Sequence, residues 1–184
     1  IKTYVIDTNV LIQAPYAIEC FEENNLVLPL VVLEELDGLK KAEGEKGANA
    51  RAAVRKLESY RQKGDLLQGV KLPGGGILRI EKNFVQVELP QDIPDDKPDN
   101  RILKVCKGLA ETEKEGQVIL VTKDIVLRLK AQILGIRAED FERERISEDD
   151  AQYTGRTEIY FPEEKVKEFK KKGIPLTDAY PVSY

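Results

Sequence analysis

The stretch Tyr4-Val5-Ile6-Asp7-Thr8-Asn9-Val10-Leu11-Ile12 runs an apolar segment into a carboxylate and then turns. Tyr4 to Ile6 reads as a central strand of an open α/β sheet, and in such sheets the reactive edge lies where the carboxyl ends of the strands emerge. Asp7 stands at that edge. Thr8 and Asn9 suit a turn or a helix start, so the plain structural alternative is that Asp7 or Asn9 only caps the next helix. A chemical role for Asp7 therefore requires companions from the rest of the chain.

The chain has 184 residues, enough for one full domain and a small appendage with a core that needs no staples. Its 41% apolar and 34% charged content is that of a soluble globular protein with a heavily charged surface. No apolar run approaches membrane-spanning length and no signal-peptide pattern opens the sequence, so no membrane partner is expected. Because the chain opens at Ile1 and holds no methionine, no native start is inferred. Cys20 and Cys106 lie far apart on apolar faces without Cys-x-x-Cys spacing, which predicts buried reduced thiols and a cytoplasmic location. The sequence contains no histidine, which removes Ser-His and Cys-His nucleophile pairs, histidine bases and histidine metal ligands together. Any polar chemistry must rest on carboxylates and bound metal ions.

Outward from the first strand, Pro15 to Phe21 reads as a short helix and Leu26-Val27-Leu28 as a second strand closed by Pro29. Val32, Leu36 and Leu39 recur at helical spacing, predicting a helix from Leu30 to about Leu39. Glu34 and Glu35 point about 100° apart on it, so only one can face a given site. Glu35 lies beside the buried stripe, whereas Glu34 shares the outer face with Asp37 and Lys41; the opposite helix phase would exchange them.

Gly44 and Gly47 predict a polar loop before a long helix from Ala48 to Lys63, with Ala52, Leu57 and Tyr60 for packing. Arg51, Arg55, Lys56, Arg61 and Lys63, following Lys40, Lys41 and Lys46, could form a cationic face for a polyanion, or simply a solvated helix surface. Val70-Lys71-Leu72 and Ile77 to Ile80 flank Pro73-Gly74-Gly75-Gly76, a hairpin turn and not a phosphate loop, since no Lys-Ser or Lys-Thr follows. A further strand is expected at Phe84 to Leu89, and a loop from Pro90 to Pro98. Asp99-Asn100-Arg101-Ile102 opens a helix with an apolar line through Ile102, Cys106 or Val105, and Leu109. Val118 to Thr122 is a buried strand, capped by Lys123-Asp124 before a helix from Ile125 to Leu134; Ile136 to Phe141 follows as an edge strand. This alternation is that of a parallel α/β layer. The acid-rich stretch Glu139 to Asp150 marks a boundary, followed by a short strand at Thr157 to Phe161 and a helix from Pro162 to Lys172. The tail offers only Val166, Phe169 and Ile174 as large apolar anchors.

Asp7 and Asp124 thus end two buried strands, Asp99 opens a helix, and Glu35 borders a core stripe. Each alone has a structural explanation as a cap or a surface residue. Two carboxylates about 5 Å apart repel by roughly 3 kcal/mol at an effective dielectric near 20, so a cluster raises its own pKa values unless cations fill it. Hard, oxygen-seeking Mg²⁺ or Mn²⁺ is the economical filler, and such ions suit phosphodiester hydrolysis.

Val5-Ile6-Asp7-Thr8-Asn9, Leu33-Glu34-Glu35-Leu36, Asp99-Asn100-Arg101-Ile102 and Val121-Thr122-Lys123-Asp124 resemble, in order and near spacing, the motifs of PIN-domain nucleases. The chain is more narrowly similar to the N-terminal PIN domain of PhoH-like ATPases, through Pro29 to Leu39, Asn49-Ala50-Arg51-Ala52, Leu127 to Ala131 and Tyr153-Thr154-Gly155. The resemblance implies a Rossmann-like parallel sheet of about five strands flanked by helices. With it go the β-hairpin insertion and a small C-terminal strand-helix connector, giving a PIN-like domain over residues 2–141 and a connector toward an ATPase over 142–184. It implies that Asp7, Glu35, Asp99 and Asp124 bind Mg²⁺ or Mn²⁺, that Asn9 and Thr122 support them, and that the substrate is single-stranded RNA cleaved by water. Arg101, Lys123 and Arg128, with Arg51 and Arg55, are candidates for RNA contact by position. Self-association is expected.

Two other readings remain. One is a catalytically weak PIN-like module that delivers RNA to an attached PhoH-like motor. The other, a phosphotransferase with Asp7 as nucleophile, is disfavoured because Asn9 takes the second place of the usual acid-x-acid pattern.

Overall fold

The two most deeply buried strands, β1 (Thr3–Ile6) and β5 (Val118–Val121), lie side by side and in parallel, with Ile6 opposite Val121. The computed structural model describes residues 1–82, 84, 86–113, 116–142 and 158–159. Every residue of both strands is buried, as expected for the centre of a sheet covered on both faces by helices. On the other side of β1 come β2 (Asn25–Pro29) and then β4 (Ile77–Glu81), both parallel to it. β3 (Val70–Lys71) pairs antiparallel with β4 and forms one edge. Beyond β5 lie β6 (Arg137–Phe141) and β7 (Glu158–Ile159), again parallel, so the order is β3-β4-β2-β1-β5-β6-β7.

The chain therefore builds outward from β1 in one direction, then returns to build outward from β5 in the other. Such a switch point leaves a crevice at the carboxyl ends of the two central strands, between helices that leave in opposite directions. Those helices are α1 (Thr8–Gln13), entered directly from β1, and α5 (Ile125–Ile133), entered from β5. A 3-10 turn over Pro15–Glu19 follows α1. Helices α2 (Leu30–Leu39), α3 (Gly44–Arg61) and α4 (Pro98–Thr112) complete the layers. On α4 the residues Ile102, Leu103, Val105, Cys106 and Leu109 are all buried, so both alternatives for its apolar line, Cys106 and Val105, reach the core.

Several expectations are corrected. Gly44 and Gly47 lie inside α3, which begins at Gly44 and not at Ala48. Gly44 takes a left-handed conformation, φ +79°, at the helix start, and Gly47 is buried where an added Cβ would meet the Ala42 carbonyl oxygen at 1.8 Å. The α2–α3 turn thus packs directly on the first turn of α3. The buried line of α3 runs through Ala50, Ala53, Leu57 and Tyr60, with Ala52 half-buried. Pro15 to Glu19 is a 3-10 turn and not an α-helix. Among the described residues of the stretch Phe84 to Leu89 there is no strand; Val87 is buried and Phe84 and Leu89 pack on the core from an irregular segment. The hairpin is not set apart from the sheet, because its second strand is β4, beside β2. Its glycines serve close approach: an added Cβ would meet the Glu22 carbonyl oxygen at 2.4 Å from Gly74 and that of Asn24 at 1.8 Å from Gly76.

β6 is not the edge strand expected, since β7 pairs with it. The helix expected over residues 162–172 and the apolar anchors Val166, Phe169 and Ile174 lie outside the described residues, as does Tyr153-Thr154-Gly155. Cys20 and Cys106 are both buried free thiols, and burial pushes the Cys106 thiol far up. Among the described residues no helix is long and apolar enough to cross a membrane.

Candidate active site

β1 delivers Asp7 to the switch point, where the chain turns into α1. Asp7 Oδ1 accepts the Thr8 amide at 2.7 Å, so the capping role is real. Its other oxygen is held from the neighbouring strand end: the Thr122 hydroxyl donates to Asp7 Oδ2 at 2.7 Å. Thr122 Oγ1 also accepts the Asp124 amide at 3.1 Å and lies 3.4 Å from Asn9 Nδ2. Asn9 Oδ1 accepts the Lys123 amide at 3.1 Å. The β1–α1 and β5–α5 junctions are thereby laced together through Asn9 and Thr122.

Asp124 caps α5, accepting the Val126 and Leu127 amides at 2.9 and 3.3 Å. Asp99 lies in the first turn of α4. Its neighbour Asn100 is buried, donates to the Pro94 carbonyl at 2.7 Å and accepts from Lys130 Nζ at 3.1 Å, which ties the start of α4 to the preceding loop and to α5. Glu35 is half-buried and accepts the Thr8 hydroxyl at 2.7 Å, whereas Glu34 is exposed. The helix phase that turns Glu35 inward is therefore the one the structure adopts.

All four acids line a single cleft of about 410 Å³, together with Thr8, Asn9, Ile12, Gln13, Leu39, Glu45, Lys46 and Asn49. Burial pushes the Asp7 carboxyl up to about 6; the Thr122 hydroxyl and the Thr8 amide pull it down, while Glu35 and Asp99 add to the rise. A carboxylate that resists ionisation beside other acids is relieved by a cation, and an all-oxygen donor set without histidine or thiolate suits a hard divalent ion. Among the described residues no three acids stand close enough to form a closed metal cage. An open arrangement fits an ion such as Mg²⁺, which keeps several of its waters and takes one or two carboxylates.

The five candidate RNA-contacting cations lie outside the cleft lining. Arg51 donates to the Lys40 and Ala42 carbonyls at 2.7 and 3.4 Å, securing the α2–α3 turn. Lys123 Nζ donates to the Phe141 carbonyl at 2.8 Å and pairs with Asp140 at 3.2 Å. Arg128 donates to the Thr122 carbonyl at 2.8 Å, and Arg101 to the Asp95 carbonyl at 3.2 Å. Arg55 is exposed on α3 and has no ion pair among the described residues. Sequence reasoning missed Thr8, whose hydroxyl holds Glu35, and the places of Glu45 and Asn49 in the α3 wall of the cleft, and it set Lys46 in a cationic helix face without placing it at the cleft. For Asn49 the available signal is a polar residue at a core-facing helical position: it is buried and donates to the Ile12 carbonyl at 2.6 Å.

Residues 4–142 match a family model described as PIN domain. The chain is 45% identical over 176 residues to Protein PhoH2 of Bacillus subtilis (strain 168), a match covering 93% of this chain and 40% of that protein. It is 35% identical over 181 residues to Protein PhoH2 of Thermobispora bispora, covering 97% of this chain and 40% of that one. The chain thus spans about 40% of the length of these curated relatives. Among solved structures it is similar to a domain of a functionally unknown protein from Methanocaldococcus jannaschii DSM 2661, at 20% identity and TM-score 0.49, covering 77% of this chain and 92% of that one. It is also similar to the PIN domain of human SMG5, at 18% identity and TM-score 0.39, covering 75% and 92%.

Proposed function

The chain belongs to the PIN-domain family, whose members are generally nucleases that use divalent metal ions, and we propose that it is a Mg²⁺- or Mn²⁺-dependent endoribonuclease acting on single-stranded RNA. The observation that carries this reading is the convergence of Asp7, Glu35, Asp99 and Asp124 on one cleft at the carboxyl ends of β1 and β5. These acids would hold the ion. When bound, Mg²⁺ or Mn²⁺ supplies water activation and neutralises charge on the phosphate and the leaving oxygen. Asp7 contributes a carboxylate whose direction is set by the Thr122 hydroxyl on one oxygen and the Thr8 amide on the other. Glu35 is oriented by Thr8, and Asp124 by the α5 amides it caps. Preorganised ligands of this kind need little rearrangement when the substrate arrives.

Arg101, Lys123 and Arg128 would contact flanking phosphates through N–H groups not directed at carbonyls, Lys123 and Arg128 exchanging Asp140 for the phosphate. Arg55 and Arg51 would extend this along α3. By the same reading, residues 142–184 connect the PIN-like unit to an ATPase domain, the assembly is oligomeric, and the protein works in the cytoplasm. The length of the relatives supports a further domain.

The additional length of the relatives favours a second reading, an RNA-binding module that delivers its cargo to an attached motor. Incubating the purified chain with end-labelled, mixed-sequence single-stranded RNA in Mg²⁺, Mn²⁺ or EDTA separates the two. The nuclease reading expects fragments in metal alone. Intact RNA that is nevertheless bound under every condition supports the delivery module.

A further inference from the structure

The cleft lining is strongly one-sided in charge. Asp7, Glu35, Glu45, Asp99 and Asp124 all contribute acids, and Lys46 is the one cationic side chain among the lining residues. Even with a divalent ion bound, that surface repels a polyanionic strand, so a strand crossing the cleft needs a cation within it. We propose that Lys46 is that cation, a phosphate-contacting residue that holds a backbone phosphate of the single-stranded RNA beside the reacting one; this rests on the reading of the site as a nuclease.

Three observations support it. First, the Lys46 side chain is exposed and has no ion pair or hydrogen bond among the described residues, while Arg51, Arg101, Lys123 and Arg128 are directed at backbone carbonyls and the last two also at Asp140. Second, its backbone is firmly placed. Asn49, one helical turn further along α3, donates to the Ile12 carbonyl and so fastens this face of α3 to α1, the helix that carries Thr8 and Asn9. On the other side, the tight seat of Gly47 against Ala42 and the Arg51 hydrogen bonds lock the α2–α3 turn. Third, Lys46 and Asn49 are three positions apart, the spacing that puts two side chains on one helix face, and both line the cleft. A long, flexible ammonium on a fixed backbone suits a point contact with a phosphate.

The experiment measures binding of 5′-fluorescein-labelled, mixed-sequence single-stranded RNA by anisotropy in EDTA, over a salt series. It compares the wild-type chain with Lys46→Gln, Lys46→Arg and, as a control for net charge, Lys71→Gln on the exposed β3 edge. Lys46→Gln should weaken binding about five- to tenfold and flatten the dependence of log K on log salt by about 0.7, the slope of one phosphate contact on a single strand. Lys46→Arg should restore both, and Lys71→Gln should leave both near wild type. Equal effects of Lys46→Gln and Lys71→Gln, unchanged binding by Lys46→Gln, or no RNA binding by the wild-type chain would each overturn the assignment. The readout does not depend on cleavage, so a chain that binds RNA with the predicted slopes but never cuts it would overturn the nuclease reading and leave Lys46 only as a phosphate contact of an RNA-binding cleft.

Discussion

The Thr122 hydroxyl donates to Asp7 Oδ2 at 2.7 Å, joining the ends of two adjacent buried strands across 115 positions of sequence. Thr122 Oγ1 also accepts the Asp124 amide, so one threonine holds the Asp7 carboxylate and the Asp124 backbone. Thr122→Val keeps the shape and removes the hydroxyl. It should cost about 1.5–3 kcal/mol of stability, the scale of a hydrogen bond to a charged group. It should also lower cleavage by at least tenfold through kcat while leaving RNA affinity unchanged. Denaturant melts and steady-state kinetics on the same preparation check both.

Asp7 gives a pH-dependent prediction. Its carboxyl is pushed up to about 6 from an ordinary value of 3.8, mainly by burial. The native state therefore binds the proton more tightly than the unfolded chain. This contribution to stability is fully present below the unfolded pKa and is lost as pH rises through the folded one. A shift of this size corresponds to about 3 kcal/mol at most. In EDTA, Asp7→Asn should therefore be more stable than wild type by about 1–3 kcal/mol at pH 8, with the gap closing toward pH 4. Melts of both proteins across that range would contradict this if the gap were constant or reversed.

Glu35 and Glu34 adjoin in sequence and differ in direction. Glu35 accepts from Thr8 in the cleft and Glu34 is exposed. Glu35→Gln should reduce metal-dependent cleavage by about a hundredfold or more, while Glu34→Gln should stay within about twofold of wild type. Comparable losses in the two variants would show that the helix phase does not decide the chemistry.

Gly76 provides a test of the fold that leaves the cleft untouched. A Cβ there would meet the Asn24 carbonyl oxygen at 1.8 Å, and backbone cannot swing aside as a side chain can. Gly76→Ala should destabilise the chain by about 2–3 kcal/mol, the cost of overpacking that forces backbone to shift. Gly75→Ala places its Cβ in open space but carries the strain of φ +105°. Thermal melts of both variants against wild type measure these effects.

The central strands were legible because Tyr4 to Ile6 and Val118 to Val121 are short, wholly apolar runs, and the inward turn of Glu35 followed from Val32 and Leu39. The positions of the acids were legible because Asp7 and Asp124 end strands, Asp99 opens a helix and Glu35 borders a helix stripe, places that periodicity locates. The start of α3 was not, because glycine breaks helices in general and the contact that retains Gly47 comes from Ala42 in another element. That no strand forms among the described residues of the stretch Phe84 to Leu89 was hidden because Phe84, Val87 and Leu89 carry a strand-like apolar pattern and reach the core outside any strand. The directions of Arg51, Lys123 and Arg128 were hidden for a related reason. Long side chains find carbonyls that only the folded turns supply, and Lys46 stands out only once theirs are known.

The central claim is that the four acids form a working metal-dependent nuclease site, and cleavage of end-labelled single-stranded RNA by wild type and Asp7→Asn, with Mg²⁺, Mn²⁺ or EDTA, tests it most directly. The account predicts fragments from the wild-type chain in metal, none in EDTA, and none from a folded Asp7→Asn protein that still binds RNA. Metal-dependent cleavage retained by Asp7→Asn would contradict it.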